Sequence, residues 1–194
     1  MLISIILLAA GKASRFGGDK VICKLANGKS LIECSSHIYQ SLSLPILAVI
    51  RPGDTVIKDI LGRNKIPWIE CKKAGKGMGA SIRCGIQALI ESDAWLIACA
   101  DMPLIKQSTV ATILTKIRSG SQLVAPEYNG KLGHPVGFGK TNQEELLNLP
   151  NEHGAKSILE NHADLLHIIK VDDHGITADV DNKNDLHYIN KFLL

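Results

Sequence analysis

The stretch ISIILLAAGKASRFGGDK, residues Ile3–Lys20, carries the first predicted strand and the loop that follows it. Ile3–Leu8 is a short, continuous apolar run, which predicts a buried strand. Ala9, Ala10 and Gly11 then carry almost no side chain, so a ligand can approach the backbone closely. Successive exposed amides in such a turn form a concavity that binds anions. The sequence therefore predicts a buried strand that ends in an anion-binding loop.

The same loop carries cations suited to phosphate. Lys12, Arg15 and Lys20 supply point charges and forked donors for phosphate oxygens. The loop is not a P-loop, because Val21 follows Lys20 where that motif needs Ser or Thr. It is not a dinucleotide fingerprint either, because Ala13 stands where the second glycine belongs. The alternative interpretation is a solvated loop that merely contains basic residues.

Composition limits the classes of function. The chain has 194 residues, of which 45% are hydrophobic and 21% charged, typical of a globular protein, and we predict a single domain over residues 1–194. A net charge of +3 gives no sign of a nucleic-acid partner. No apolar run approaches the roughly 20 residues that span a bilayer. The N-terminal run opens without a basic region and is interpreted as a strand, not a signal peptide.

The cysteine pattern indicates a reducing compartment. The chain has five cysteines, an odd number, and no CxxC spacing. We therefore expect reduced thiols in a cytoplasmic protein, with Cys99 packed in the core. The histidines show no paired spacing typical of metal ligands.

Further apolar runs alternate with helical patterns along the first half. They are ILAVIR (46–51), IPWIEC (66–71) and AWLIACA (94–100), and Pro67 favours an edge position for the second of them. This order predicts an α/β fold, a three-layer αβα arrangement with a Rossmann-like, mostly parallel sheet. After Gly120 the pattern loosens, which allows antiparallel strands in the second half.

The carboxyl ends of parallel strands are where ligands bind in such sheets. One run ends in ADMP, residues 100–103. A carboxylate at the end of a buried strand is costly unless it is paired or binds a metal. Asp101 suits Mg²⁺, which prefers one or two carboxylates together with phosphate oxygens. The alternative is a helix cap or a turn residue.

Two later segments add candidate ligands. In ADVDNKNDL (178–186), Asp179 and Asp181 alternate and would face one side of an extended chain, where one of them could complete a metal site with Asp101. In GHPVGFG (133–139), His134 precedes a predicted strand between residues that restrict its backbone. The alternatives are a solvated acidic turn and a structural histidine.

A glycine-rich segment follows the third predicted strand. AGKGMGAS (74–81) leads into a helix, and its glycines permit close backbone approach. Ser81 is a candidate helix cap. The alternative is a plain turn.

Taken together, these motifs resemble the nucleotidyltransferases of the molybdenum-cofactor type, and most of all the cytidylyltransferase-like (MobA/MocA-like) family. The family motif LAAGxSxRFGxxK is matched by LAAGKASRFGGDK, with one extra residue between Gly11 and Ser14. GMGxSxxxG is matched by GMGASIRCG, ADMP is identical, GHPVxF is matched by GHPVGF, and DxDTPEDL by DVDNKNDL. The matches run in order from residue 7 to residue 186.

The resemblance implies the nucleotide-diphospho-sugar transferase fold and transfer of CMP from CTP to molybdopterin, with release of pyrophosphate. It implies catalytic roles for Arg15, Lys20 and Asp101, and Mg²⁺ held by Asp101 and Asp181. It places His134 and Lys156 at the acceptor. The nucleotide site would comprise Leu8, Ala9, Ala10, Gly11, Lys20, Gly79 and Ser81.

Base choice and partners also come from the resemblance. Ala10 and Phe16 favour CTP, because the guanylyl type tends to show LAGG and RMG at these positions. The implied partners are the nucleotide, a molybdopterin-type acceptor and a molybdoenzyme or chaperone, with no nucleic acid or membrane.

The chain departs from the family at two places. Asn182-Lys183 replaces Thr-Pro, and Lys156 replaces the Arg of a GDxGAR segment, here NEHGAK. Lysine lacks the planar fork of arginine. The alternatives are a GTP-using or sugar-phosphate transferase of the same fold, or a nucleotide-binding accessory protein without turnover that assists molybdoenzyme maturation.

Overall fold

An eight-stranded mixed sheet with helices on both faces organises the chain in the computed structural model, which describes residues 1–11, 16–17 and 20–193. The strands are β1 (Ile3–Leu8), β2 (Ile46–Ile50), β3 (Trp68–Glu70), β4 (Ala94–Cys99), β5 (Leu123–Tyr128), β6 (Lys131–Leu132), β7 (Val136–Gly139) and β8 (His167–Lys170). The helices are α1 (Leu31–Gln40), α2 (Thr55–Arg63), α3 (Met78–Ala88), α4 (Gln107–Arg118), α5 (Gln143–Leu147), α6 (Lys156–Asn161) and α7 (Lys183–Asn190).

The strand order is β3-β2-β1-β4-β7-β5-β6, with β8 paired to β5. The β3-β2-β1-β4 half is entirely parallel, and β3 lies at the edge, as Pro67 predicts. The predicted α/β fold with a mostly parallel sheet is confirmed.

One antiparallel strand positions a candidate site residue. β7 lies between β4 and β5 and is antiparallel to both. Its first residue, Val136, pairs with Ile97 near the end of β4. The loop that holds His134 therefore reaches the same edge of the sheet as Asp101.

The β5–β6 hairpin is absent from the sequence prediction. Its turn residues, Asn129 and Gly130, have φ of 49° and 76°. Positive φ at both central positions gives the twist that closes a two-residue hairpin, and Asn-Gly adopts it readily.

Two apolar layers cover the sheet, because alternate residues of each strand face opposite sides. On one side Ile5 packs with residues of α1, α2 and α4, and on the other Ile6 packs with residues of α3, α5 and α6. The α1 helix begins at a capping box in which Ser30 accepts from the amide of Glu33, whose carboxylate accepts from the amide of Ser30. No helix in the described part of the chain is long and apolar enough to cross a membrane.

The expectation of five reduced thiols is wrong for one pair. Cys71 follows β3, Cys84 lies in the second turn of α3, and the two are joined in a disulfide with their Cα atoms 6.0 Å apart. That separation falls within the usual range for disulfides. The two cysteines are 13 positions apart in sequence, and no local spacing motif marks the pair.

Candidate active site

A cavity of about 430 Å³ lies at the carboxyl ends of β1 and β4. The exit of β1, the start of α3 and the end of β4 form its wall. The lining residues are Leu8, Ala9, Ala10, Gly11, Lys20, Val21, Ala74, Gly75, Lys76, Gly77, Met78, Ser81, Cys99, Asp101 and Glu152.

The exit of β1 presents bare backbone to this cavity. The amide of Ala9 donates to the carbonyl oxygen of Val49 at 2.9 Å, which extends the β1–β2 ladder by one residue. Ala9 and Ala10 are buried, whereas Gly11 is exposed, and a Cβ added there would meet nothing within 4 Å. Lys12 and Arg15, two of the predicted phosphate ligands, lie outside the described residues.

The chemical centre is an ammonium between two carboxylates. Lys20 Nζ lies 2.8 Å from Asp101 Oδ2 and 3.0 Å from Asp181 Oδ1. Burial by itself lowers the pKa of Lys20, but the carboxylates of Asp101 and Asp181 outweigh it and the pKa is raised. The lysine is therefore charged, and residues distant in sequence meet at one cation-binding point.

Two backbone bonds bring the acidic residues there. The amide of Ala100 donates to the carbonyl oxygen of Leu8 at 3.0 Å, which carries β4 alongside β1 up to Asp101. The amide of Val180 then donates to the carbonyl oxygen of Asp101 at 3.1 Å. Asp179 and Asp181, which flank Val180, are held beside Asp101 as a result.

Asp179 adds a third carboxyl group to this cluster. Asp179 is exposed overall, but partial desolvation of its carboxyl group, reinforced by the charges of Asp101 and Asp181, raises its pKa. A further negative charge at this point is costly until a cation arrives.

His134 presents a neutral imidazole to the same cluster. Burial lowers its pKa, against the opposing effects of Asp101, a hydrogen bond to the backbone of Ile97 and Asp179. Its buried Nδ1 has no hydrogen-bond partner among the described residues. His134 is not part of the wall of the cavity, and its predicted role at the acceptor stays a prediction.

The carboxylates fit a divalent cation. Within residues 1–11, 16–17 and 20–193, no three His, Cys, Asp or Glu side chains gather as a metal site. The Lys20 ammonium nevertheless shows that Asp101 and Asp181 converge on one cation. Two carboxylates completed by phosphate oxygens are the ligand set that Mg²⁺ prefers.

The glycines at the start of α3 serve packing as well as access. A Cβ on Gly77 would collide with the backbone of Asn151 and Glu152, and one on Gly79 with the carbonyl oxygens of Pro150 and His153. Gly79, predicted to bind nucleotide, is buried beneath that segment and is not part of the cavity wall.

Ser81 and Arg83 have distinct places on α3. Ser81 is 5% exposed and lines the cavity, although Gly77 stands at the N-cap position for which Ser81 was a candidate. Arg83 donates to the carbonyl oxygen of Leu149 and to the side chain of Asn151, which ties the segment over the glycines.

Gly79→Ala is expected to destabilise the protein by about 1–3 kcal/mol, because its methyl group has no space against backbone carbonyls. Gly11→Ala is the matched control, since its methyl group would point into open space. Urea unfolding should show a lower midpoint for Gly79→Ala only, while nucleotide binding should weaken in Gly11→Ala. Equal midpoints would contradict this assignment.

The sequence did not indicate which residues of the NEHGAK segment (151–156) lie at the cavity. Lys156, predicted at the acceptor, lies on α6 with its side chain 84% exposed and pairs with Glu160 at 3.4 Å. It is not part of the cavity wall, whereas Glu152 of the same segment is. Lys76 also lines the cavity, although the sequence analysis did not name it as a site residue. Its position in the glycine-rich segment 74–81 is the sequence feature that could have indicated this.

Asn182-Lys183 replaces the Thr-Pro of the family motif, and α7 still begins at a capped position. The Asn182 side chain accepts from the amides of Asn184 and Asp185, and Asp185 accepts from the amides of Asp181 and Asn182. Asn is as good an N-cap as Thr. The substitution therefore leaves Asp181 on a capped segment.

Lys20, Asp101 and Asp181 form what we call the ion-pair centre. Asp181 also lines a second cavity, of about 530 Å³. It lies between the end of β5 and α7. Aromatic and acidic residues line it, among them Tyr128, Tyr188, Asp179 and Asp185. Asp181 lines this second cavity and is not part of the wall of the first.

The chain is similar in sequence to a longer bacterial protein. The bifunctional protein GlmU of Hydrogenovibrio crunogenus is 28% identical over 151 residues, which are 76% of this chain and 33% of GlmU. The chain thus spans about a third of the length of the curated relatives that it matches.

Solved structures share the fold. Rv0371c from Mycobacterium tuberculosis H37Rv has a TM-score of 0.87 at 17% identity, covering 98% of this chain and 97% of that one. Rv0371c in complex with manganese has a TM-score of 0.84 at 14% identity, covering 98% and 99%. Molybdopterin-guanine dinucleotide biosynthesis protein A from Archaeoglobus fulgidus has a TM-score of 0.68 at 17% identity, covering 98% of each chain.

The family follows from the sequence itself. The family model described as the MobA-like NTP transferase domain matches residues 5–165, which is most of the chain and includes Lys20, Asp101 and His134. The chain therefore belongs to the MobA-like NTP transferase family.

Proposed function

We propose that the chain transfers CMP from CTP to a molybdopterin-type acceptor and releases pyrophosphate. The observation that carries the proposal is that Asp101 and Asp181 converge on the Lys20 ammonium. They do so beside a cavity whose wall includes the small residues that follow β1. Family membership supports a nucleoside triphosphate as substrate. The choice of CTP and of the acceptor rests on the resemblance at Ala10, Phe16 and the later motifs.

The nucleotide occupies the cavity in this proposal. The base and ribose lie against Leu8–Gly11 and Ser81, where the small residues that follow Leu8 leave room. The triphosphate extends toward Lys20, and Arg15 adds a second cation from the loop.

The reaction is an in-line displacement. A phosphate oxygen of the acceptor attacks the α-phosphorus, the bond from that phosphorus to the bridging oxygen breaks, and pyrophosphate leaves with the electron pair. Mg²⁺ bound by Asp101 and Asp181 would supply neutralisation of charge on the phosphate oxygens. Lys20 moves from the carboxylates to the phosphates and stabilises the leaving group. Positioning and electrostatics supply most of the catalysis.

The acceptor approaches from the side of His134 and Asp179. The neutral imidazole of His134 lies beside the carboxylates and adds no charge that would pair with Asp101. The second cavity, which shares Asp181, has room for the part of the acceptor that does not react. A molybdoenzyme or its chaperone would then receive the product.

Pyrophosphate release with CTP, GTP, ATP or UTP tests this proposal, with Mg²⁺ and molybdenum cofactor present. We expect release with CTP and none when the acceptor is omitted, because the attacking oxygen belongs to the acceptor. Release with another nucleotide would keep the reaction and discard the base assignment. Nucleotide binding without release, also with a sugar phosphate as acceptor, would contradict catalysis and favour an accessory role.

A further inference from the structure

Asp173 is a fully buried carboxylate to which the proposed reaction gives no role. It is 1% exposed. Its Oδ2 accepts from the Lys106 amide at 2.8 Å and from Thr109 Oγ1 at 2.6 Å, and its Oδ1 accepts from the Gly175 amide at 3.0 Å. Charge-assisted bonds to all three donors offset the cost of burial.

These bonds join two segments that lead to the ion-pair centre. Lys106 and Thr109 belong to the start of α4, directly after the loop that carries Asp101. Gly175 belongs to a 3-10 turn, His174–Thr177, that leads toward Asp179 and Asp181. No side chain of α4 caps its own N-terminus, so Asp173 supplies that cap from a distant segment.

The same turn also contacts the loop that carries His134. The His134 amide donates to the carbonyl oxygen of Ile176 at 2.9 Å, and Gly133 packs against Ile176 so closely that a Cβ would not fit. Gly175 packs equally closely against the backbone of Leu104 and Ile105. The turn therefore touches the loops of both Asp101 and His134.

We propose that Asp173 is a positioning residue that sets the separation between Asp101 and Asp181 and so determines how well the pair binds a divalent cation. This inference rests on the proposed metal-dependent function. A cap for α4 alone would need only the donors of that helix. The bond to Gly175 instead caps the His174–Thr177 turn of the segment that contains Asp173. Asp173 thus fixes the shape of its own segment while the bonds to Lys106 and Thr109 tie that segment to the start of α4, and Val180 completes the contact with Asp101.

The isosteric variant Asp173→Asn tests the inference, because an amide nitrogen in place of one oxygen faces a donor with another donor. Mn²⁺ binding to the nucleotide-free protein, followed by electron paramagnetic resonance, should weaken by about tenfold or more. Hydrogen exchange of the Val180 amide should accelerate. Pyrophosphate release should recover in part as the metal concentration is raised.

Asn142→Asp is the matched control. Asn142 is a buried side chain that donates to the carbonyl oxygen of Gln122 at 2.7 Å, at the opposite end of the sheet. It undergoes the reverse isosteric change and should lose comparable stability without a change in Mn²⁺ affinity. Thr109→Val removes one donor to Asp173 and is the milder variant if Asp173→Asn does not fold; its Mn²⁺ affinity should fall less.

The outcomes separate the two proposals. Equal Mn²⁺ affinity in wild type and Asp173→Asn, or the same loss in Asn142→Asp, would overturn the positioning role even if wild type releases pyrophosphate. If the Asp173→Asn variant does not fold, an unchanged Mn²⁺ affinity in Thr109→Val would overturn the positioning role. Mn²⁺ binding that weakens as expected, in a wild type that releases no pyrophosphate, would refute the proposed function alone. A wild type that binds no Mn²⁺ would overturn both.

Discussion

Asp101→Asn is expected to lower pyrophosphate release by about a thousandfold or more, comparable with the loss of a preorganised charge at other transition states. Asp101 lies 2.8 Å from Lys20 and shares a cation with Asp181. The amide keeps the shape of the side chain but removes half of the negative charge that we propose holds the metal.

Stability should change little in this variant, because Lys20 retains Asp181 at 3.0 Å. The measurement is kcat with CTP at saturating Mg²⁺, together with a thermal unfolding curve. Asp172→Asn is the control, since it removes an exposed carboxylate close to the His174–Thr177 turn. A rate for Asp101→Asn within tenfold of wild type, with Asp172→Asn unchanged, would exclude the metal role of Asp101.

The elements that sequence predicts are those with local signals. The apolar runs mark β1, β2 and β4, and Ser30 with Glu33 marks the start of α1. Because the carboxyl ends of β1 and β4 must share an edge, the proximity of Lys20 and Asp101 is also predictable. Short elements without a periodic signal, such as β6, are not.

The remaining features depend on contacts distant in sequence. The sequence predicts that Gly79 lets the nucleotide approach the backbone. In the structure, the carbonyl oxygens of Pro150 and His153 leave no room for a side chain at this position. Asp173 stands in a stretch typical of a turn, which supplies the Gly175 donor locally, and only the packing of α4 adds the donors of Lys106 and Thr109. Pairing of Cys71 with Cys84 likewise needs β3 and α3 side by side. No local pattern encodes the partners that are distant in sequence.

Lys20→Met should have two opposite effects. In the structure the ammonium occupies the point on which Asp101 and Asp181 converge. A divalent cation cannot share the carboxylates with it without repulsion, so we expect Mn²⁺ to bind the nucleotide-free variant about tenfold more tightly than wild type. Pyrophosphate release should fall by about a hundredfold or more, because the leaving phosphates lose their cation.

The first effect follows from linkage between metal and nucleotide. In wild type, the triphosphate offers Lys20 an alternative partner and frees the carboxylates, so each ligand should strengthen binding of the other by the same factor. Titration of Mn²⁺ with and without a non-hydrolysable CTP analogue measures this factor, which should shrink in Lys20→Met. Lys76→Met is the control, since Lys76 lines the cavity but pairs with neither carboxylate. Unchanged or weaker Mn²⁺ binding in nucleotide-free Lys20→Met would refute competition between the ammonium and the metal.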